Sequence, residues 1–270
     1  MRSKIFILLA IAPLAVFPLE AQAAINLGTA GNFAVLAGST VTNTGNTVIN
    51  NGNVGVSPDT AITGFPPGTI TAPYTTDMGD GTAAQAQTDL TSAYNAAAGL
   101  APTQTLTGTD LGGRTLTPGV YFFASSAQLT GTLTLNDQGN SEAQFVFQIG
   151  STLTTATSSS VVVINAGPTP DCNIFWQVDS SATLGTTTAF EGHILALTSI
   201  TMDTGATIID GSALARNGAV TLDDNTITNC AASASPLAVP QPATLPLVFL
   251  GTMLLGLPAL AMRSRRLHLH

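Results

Sequence analysis

Charged side chains are scarce in this chain: only 8% of its 270 residues are Asp, Glu, Lys or Arg, and Lys and Arg together number 7. A surface that binds nucleic acid needs clustered basic side chains, which a chain of net charge −8 with so few cations lacks. The composition therefore excludes a nucleic-acid-binding protein. Aromatic residues are also few, at 6%, but 44% of the residues are apolar and many recur at strand spacing, which predicts an ordered β-rich domain.

Side chains that bind metals are equally few. The chain has two cysteines, Cys172 and Cys230, and three histidines, of which two lie in the last residues of the chain. This set is too small for a zinc site, and we predict neither a metal nor any other cofactor. In an exported protein two cysteines are typical of a disulfide, and a pair of free thiols is the alternative.

The N-terminus has the order of a secretory signal peptide. Arg2 and Lys4 form a basic start, Ile5 to Phe17 an apolar core, and Ala21-Gln22-Ala23 a cleavage site of the small-x-small type. Residues 1–23 are therefore excluded from the fold, and we predict that the protein is exported.

The C-terminal part of the chain has a different composition. A linker rich in small residues and proline covers residues 233–244, and an apolar run of membrane-spanning length follows from Leu245 to Met262. Arginines end this run, which predicts a membrane segment within residues 245–270 whose C-terminus is cytoplasmic. Residues 24–232 remain for one large all-β domain.

The linker itself resembles the PEP-CTERM sorting tail of Gram-negative bacteria. Pro240, Gln241 and Pro242 stand where that family has Pro-Glu-Pro, with glutamine in place of the glutamate. The resemblance implies a membrane-embedded exosortase as a partner that cuts the tail. It also implies that the protein is first anchored in the inner membrane and is then secreted or held at the cell surface.

The region between the two ends repeats itself. The octet NTGNTVIN at Asn43–Asn50 returns as DTGATIID at Asp203–Asp210, and short Thr-apolar words recur between them, later at intervals of about 18 to 20 residues. A period near 20 residues with short strands and Gly, Asn or Asp turns is typical of a β-solenoid. The two octets are therefore interpreted as equivalent turns of one solenoid.

One segment departs from the β pattern. Residues 82–98 are rich in Ala and Gln, with Thr82 as a candidate N-cap and Gly99 at the end. Apolar residues at helical spacing form one narrow stripe, which predicts a helix that lies along one flank of the solenoid. The stripe consists of Ala86, Leu90, Ala93, Tyr94 and Ala97.

Several words, taken together and in order, resemble the microbial ice-binding (antifreeze) proteins. They include NLGTAGNFAVLAGSTVTNTGN from Asn26, NVGVSP from Asn53, AQFVFQIGSTLTT, CNIFWQVDSSATLGT and GSALARNGAVTLDDNTI, and the resemblance spans Ala24 to Cys230. It implies a mostly β fold: a right-handed, discontinuous β-solenoid of triangular cross-section, with one long α-helix alongside and the N-terminal coil stacked on the C-terminal coils. It also implies adsorption to ice through a flat Thr-rich face, which inhibits ice growth or recrystallisation or attaches cells to ice.

The resemblance suggests one candidate site. The family's ice site is often described by the pattern Thr-(Ala/Gly)-x-(Thr/Asn), which this chain has at Thr44–Thr47 and at Thr204–Thr207. Another coil has Thr186-Thr187-Thr188-Ala189 at the equivalent place and departs from the pattern in its last position. The predicted ice-binding residues are Thr44, Thr47, Thr186, Thr188, Thr204 and Thr207.

Strand geometry leaves a second face open. In a straight strand residues i and i+3 point to opposite faces, so Thr44 and Thr47 share a surface only if a corner lies between them. Threonines that flank an apolar residue instead point outward together. This alternative ice face consists of Thr40, Thr42, Thr132, Thr134, Thr152, Thr154, Thr183, Thr201 and Thr221.

The same sequence bears on other function classes. Glu191 and His193 are the only acid and histidine close together in the domain, which is little for a glycan-cleaving enzyme, so we predict no enzyme and no catalytic residue. The acids Asp203, Asp210, Asp223 and Asp224 lack a calcium-binding repeat and are interpreted as turn residues. Because threonine ladders also stabilise ordinary sheets, a cell-surface structural or adhesive solenoid without ice activity is the alternative function. The domain is expected to be monomeric.

Overall fold

The computed structural model describes residues 24–140, 142–167 and 172–230. The predicted signal peptide, the linker with Pro240, Gln241 and Pro242, and the apolar tail 245–270 lie outside these residues. Among the described helices, none is long and apolar enough to cross a membrane.

The N-terminal part forms two full coils and the start of a third, followed by the helix. A short 3-10 helix, Gly28–Asn32, precedes the first strand, and α1 spans Gly81–Ala98. The strands between them are β1 (Phe33–Ala37), β2 (Thr40–Thr44), β3 (Val48–Asn50), β4 (Asn53–Val56), β5 (Ala61–Thr63), β6 (Thr69–Ile70) and β7 (Thr76–Met78).

After α1 the chain continues as short strands up to the end of the domain. They are β8 (Gln104–Thr105), β9 (Thr115–Leu116), β10 (Gly119–Phe123), β11 (Ala127–Leu129), β12 (Thr132–Asn136), β13 (Phe145–Ile149), β14 (Leu153–Thr155), β15 (Ser160–Ile164), β16 (Ile174–Val178), β17 (Ala182–Leu184), β18 (Ala189–Glu191), β19 (His193–Ala196), β20 (Ile200–Met202), β21 (Thr207–Ile209), β22 (Ala213–Ala215), β23 (Val220–Asp223) and β24 (Thr226–Thr228).

These strands form three parallel sheets, and a complete coil contributes one strand to each. Sheet A has the order β7-β4-β1-β22-β19-β16-β13-β10-β8, sheet B the order β11-β14-β17-β20-β23-β2-β5, and sheet C the order β6-β3-β24-β21-β18-β15-β12-β9. Coils stack because each coil alone cannot bury its inner row of apolar side chains. The predicted β-solenoid of stacked coils is confirmed.

The stacking order differs from the chain order at one place. The coil β1–β3 pairs with the last coil, β22–β24, through β1 with β22, β2 with β23 and β3 with β24. The solenoid is therefore discontinuous, as predicted, and each sheet contains strands from both ends of the domain.

The interior of the solenoid is apolar and contains a column of aromatic rings. Tyr121, Phe147 and Trp176 occupy paired positions in β10, β13 and β16 and stack with ring centroids 5.4 and 3.8 Å apart. Phe190 packs against Trp176 at 4.8 Å. Because parallel in-register strands place equivalent residues on top of each other, one aromatic residue per coil is enough to build this column.

Helix α1 covers the outer face of sheet A. The predicted stripe residues Ala86, Leu90, Ala93, Tyr94 and Ala97 are all buried there, against an outward row of apolar side chains on the sheet. The predicted start was wrong: Asp80, not Thr82, caps the helix by accepting a hydrogen bond from the Ala83 N–H at 2.9 Å. An aspartate accepts such a bond as well as a threonine does, and here it lies where the chain turns into the helix.

The predicted disulfide is present. Cys172 precedes β16 and Cys230 follows β24, so the bond joins the end of the last coil to the start of an earlier one. It closes a loop with a sequence separation of 58 residues. Loop-closure entropy for such a loop corresponds to about 4 kcal/mol of stabilisation.

Candidate functional site

Only two of the three sheets present an outer face that the rest of the described chain leaves uncovered. Helix α1 lies on sheet A, and Gln148 fixes its C-terminal end by donating from Nε2 to the Ala97 and Leu100 carbonyls, each at 2.8 Å. Any flat surface for a large ligand in the described domain therefore belongs to sheet B or sheet C.

The outer face of sheet B, named the Thr face here, carries three rows of side chains that run across the strands. The Ser row contains Ser126, Thr152, Ser181, Ser199, Ala219, Thr40 and Ala61. The Thr row contains Gln128, Thr154, Thr183, Thr201, Thr221, Thr42 and Thr63. The corner row, at the turn from sheet B to sheet C, contains Thr157, Thr186, Thr204, Asp223 and Thr44.

The rows have a regular spacing set by the sheet. Neighbouring members of one row are about 4.8 Å apart, and the Ser and Thr rows are about 6.7 Å apart because they are two residues apart along each strand. Neither row contains a charged side chain. Apolar side chains such as Leu153, Ile200 and Val220 alternate with them and point into the core.

Four of the five hydroxyl groups of the Ser row take part in hydrogen bonds between coils. The Ser181 Oγ accepts from the Ser199 N–H at 3.3 Å, and the Ser199 Oγ accepts from the Ala219 N–H at 3.2 Å. At the end of the row the Thr152 Oγ1 donates to the Ser126 Oγ at 2.9 Å. These bonds tie successive coils together, whereas the Thr40 hydroxyl makes no hydrogen bond within the described domain.

Hydroxyl groups of the Thr row are available to the solvent. Within the described residues, Thr154, Thr183, Thr201 and Thr63 make no side-chain hydrogen bond, and Thr42 donates only a long 3.5 Å bond to Thr221. All of them are exposed or half-buried. The row thus presents a line of methyl and hydroxyl groups whose hydrogen-bonding capacity is left for water.

The corner row extends the Thr face and has one interruption. Thr42 and Thr44 are alternate residues of β2 and so point to the same side. Backbone bonds from coil to coil keep Thr157, Thr186 and Thr204 in register, and all three are exposed. Asp223 is the single charged member, and its carboxylate accepts from the Thr204 hydroxyl.

The six residues of the first predicted ice site do not share a surface. Thr44, Thr186 and Thr204 lie in the corner row, but Thr47 and Thr188 are 0% exposed and cannot touch an ice crystal. A corner does lie between Thr44 and Thr47, but it turns the second threonine inward. The Thr47 Oγ1 accepts from the Asn225 N–H at 3.0 Å, and the Thr188 Oγ1 bonds the Thr155 Oγ1 at 2.7 Å, so both hold the corner from inside.

The repeated octets are equivalent turns of the solenoid, as predicted, since each forms the turn from sheet B to sheet C in its own coil. The N-terminal coil stacks on the C-terminal coils, as the resemblance implied, and the coil β22–β24 lies between the two octets. The octets are in register up to the corner, where Thr44 and Thr204 align with Asp223, and they are offset by one residue after it, because Thr207 pairs with Thr226 and Thr226 with Val48. The two turns are therefore equivalent, and their sequences differ by one inserted residue in the N-terminal coil.

The alternative ice face is largely brought together by the structure. All but two of its members lie in the Ser and Thr rows; the exceptions, Thr132 and Thr134, lie on β12 of sheet C. They flank a leucine, as threonines of sheet B do, so the local sequence could not show which sheet they belong to. Ser126, Ser181, Ser199, Thr63 and Thr157 were not predicted, although their positions beside buried residues were a usable signal.

Sheet C is a poorer candidate surface. Thr207 and Thr226 lie in its first outward row, but the second row contains Val162 and Ile209, which are 41% and 47% exposed. The same row includes Glu191, which is 7% exposed. Apolar and acidic side chains therefore interrupt the threonine pattern on three neighbouring strands, β15, β18 and β21.

The acids and the histidine that could have served catalysis or calcium binding have other roles. His193 is 3% exposed, its Nδ1 lies 2.8 Å from the Ser212 Oγ, and burial lowers its pKa to about 4, so it is neutral at pH 7. The Asp224 carboxylate accepts from the Asn46 N–H at 2.6 Å, and the backbone of Asp210 has a positive φ of 44°. In the part of the chain that the structure describes, no group of acids, histidines or cysteines could hold a metal ion.

Known proteins with similar sequences share one description. A family model described as Ice-binding-like matches residues 35–228. An ice-binding protein of Nostoc sp. (strain HG1) is 54% identical over 258 residues, which cover 94% of this chain and 93% of that protein. An ice-binding protein of Colwellia sp is 36% identical over 225 residues, 76% of this chain and 83% of that protein.

Solved structures agree with the sequence comparison. The crystal structure of an ice-binding protein from an Antarctic biological consortium is similar with a TM-score of 0.73 and 48% identity, and covers 82% of this chain and 96% of that chain. The ice-binding protein of the Antarctic ascomycete Antarctomyces psychrotrophicus has a TM-score of 0.71 and 43% identity, with 77% and 99% covered. Three parallel sheets with one helix are thus a fold that this chain shares with ice-binding proteins.

Proposed function

Because the chain belongs to the Ice-binding-like family, we propose that it binds ice and that the Thr face is the surface in contact with the crystal. The observation that carries the proposal is the Thr row, which continues over successive strands of sheet B without a charged side chain. Its hydroxyl groups have almost no partners within the described domain, in contrast to four of the five hydroxyl groups of the Ser row.

The physical basis is a preorganised lattice of small amphipathic groups. A threonine side chain is stiff at χ1, so the row loses little rotamer freedom when it becomes immobile on ice. Methyl groups order the adjacent water, and hydroxyl groups hold it by hydrogen bonds. Charged groups would bind water in a different arrangement, and they are absent from the Ser and Thr rows.

Adsorption of many molecules would pin the growth front of a crystal. Ice between the pinned points can only advance with a curved surface, which lowers the local freezing temperature and slows growth and recrystallisation. This function is non-catalytic and requires no cofactor. The interaction area is large for the size of the domain, since the Thr face spans the seven strands of sheet B.

We also infer the finer geometry of the fold that the family resemblance implies. Crossovers between parallel strands of one sheet are right-handed in nearly all proteins, which supports a right-handed coil. Three sheets with one strand per coil support a triangular cross-section. Two flat sides and one side covered by α1 would follow from that shape.

The test compares two threonines of one coil. Thr201 lies in the Thr row on β20 and Thr207 on β21 of sheet C, and both are half-buried. In recombinant residues 24–232, which contain every described strand and the disulfide, Thr201→Tyr should lose most of the thermal hysteresis and recrystallisation inhibition, whereas Thr207→Tyr should keep them. Loss in the Thr207 variant alone would place the site on sheet C. An inactive wild-type domain that binds glycans would instead support a structural or adhesive solenoid.

Export and processing belong to the same proposal. A signal peptide at residues 1–23 and an exosortase cut near Pro240, Gln241 and Pro242 would give a monomeric domain that is secreted or held at the cell surface, after initial anchoring by the membrane segment within 245–270. Intact-mass measurement of the protein from cell membranes and from culture medium tests this. A mature protein with an uncut tail in both fractions would contradict the processing step.

A further inference from the structure

One residue beside the corner row has an unusual backbone. Thr187 has a φ of +56°, in the left-handed region. Among the described residues, seven other than glycine have a positive φ, and Thr187 is the only β-branched one. A β-branched side chain in this region is strained, because its Cβ substituents crowd the backbone.

The equivalent positions in neighbouring coils show what the backbone prefers. Successive coils have Ser158, Thr187, Gly205, Asp224 and Gly45 at this position of the corner, and all five have a positive φ. Glycine, aspartate and serine accept the conformation more easily than threonine does. The fold therefore does not require a threonine at this position.

The strained side chain is exposed and fixed in one orientation. The Thr187 Oγ1 lies 2.9 Å from the Ser158 Oγ in the coil on one side. In the coil on the other side, the Thr187 methyl group covers Gly205. A Cβ added to Gly205 would lie 3.5 Å from the Thr187 Cγ2. The side chain thus spans three coils on the outer surface, next to Thr186 and Thr204 of the corner row.

Backbone strain that the fold does not need is a reason to look for a function at that residue. We propose that Thr187 is a further ice-contacting residue, which extends the Thr face around the corner by a fixed methyl and hydroxyl group. This inference rests on the proposed function of the Thr face. It predicts that stability and activity change in opposite directions when the strain is relieved.

The test is the substitution Thr187→Asn in the same domain as above. Asparagine adopts the left-handed region readily, so the melting temperature should rise by roughly 2–4 °C while the thermal hysteresis falls. The control is Gln138→Asn, which changes another positive-φ residue, in the turn after β12, and should leave the hysteresis unchanged. Thr187→Ser keeps the hydroxyl and removes the methyl, and should lose part of the hysteresis.

The results distinguish a failure of the role of Thr187 from a failure of the proposed function. Full hysteresis in Thr187→Asn, with a loss in Thr201→Tyr, would overturn the role of Thr187 and leave the Thr face intact. An unchanged or lower melting temperature would overturn the strain argument. Equal hysteresis in the wild type and Thr201→Tyr would be a failure of the Thr face itself, whatever Thr187→Asn does.

Discussion

Replacing Asn225 with alanine tests how much buried side-chain hydrogen bonds stabilise the corner between sheets B and C. Asn225 is 1% exposed at the turn between β23 and β24. Its Nδ2 donates to the Asp203 and Ala206 carbonyls at 2.9 and 3.0 Å, and its Oδ1 accepts from the Asp223 N–H at 2.7 Å. On the other side its backbone bonds Thr47 of the N-terminal coil.

The expected loss follows from the groups that alanine leaves behind. The Asp203 carbonyl keeps a bond from the Ala206 N–H, so the Ala206 carbonyl and the Asp223 N–H lose the partner that Asn225 supplies. An unpaired buried polar group costs on the order of 1–3 kcal/mol. We therefore expect the free energy of unfolding to fall by about 3 kcal/mol, which for a domain of this size lowers the melting temperature by roughly 6–12 °C.

Urea unfolding and thermal melts followed by circular dichroism measure this difference. Asn46→Ala is the matched control, because Asn46 is exposed in the neighbouring coil and only its backbone N–H is used, by Asp224. The control should change the free energy of unfolding by less than about 0.5 kcal/mol. Equal small effects in both variants would refute the reasoning that Asn225 holds the corner.

Two further predictions concern pH and the corner row. Burial lowers the pKa of His193 in the folded state to about 4, below its ordinary 6.5, so the unfolded chain takes up a proton first and the free energy of unfolding should fall as the pH drops from 6.5 to 4. His193→Gln should flatten this dependence in melts across that range, and an unchanged slope would contradict it. Asp223→Thr should raise the thermal hysteresis, because it removes the one charge from the corner row and frees the Thr204 hydroxyl. Asp224→Asn is its control for net charge, and an equal gain there would place the effect outside the row.

Local patterns predicted those features that local geometry decides. The stripe from Ala86 to Ala97 fixed the buried face of α1, because helical spacing alone determines which side chains align. In the same way, threonines beside Leu153 or Val41 were predicted to point outward, and they do. Which sheet a strand joins is not a local property, however. Thr132 beside Leu133 has the same local pattern as Thr152 beside Leu153. Thr132 nevertheless lies in sheet C and Thr152 in sheet B, because the sheet that a strand joins depends on the number of residues in the preceding turns.

The offset between the two octets has the same origin and a practical consequence. Each octet contains two consecutive apolar residues, Val48-Ile49 and Ile208-Ile209, so the sequence does not say which one points inward. The coil between the octets decides which apolar residue points inward, because Ile227 is the only apolar residue of β24. Ile227 pairs with Ile49 and Ile208, so Ile209 points outward and is 47% exposed. A slip of one residue moves every side chain to the opposite face. A tyrosine placed at Thr47 to block an ice site would therefore enter the core, and the lost activity would report unfolding rather than binding.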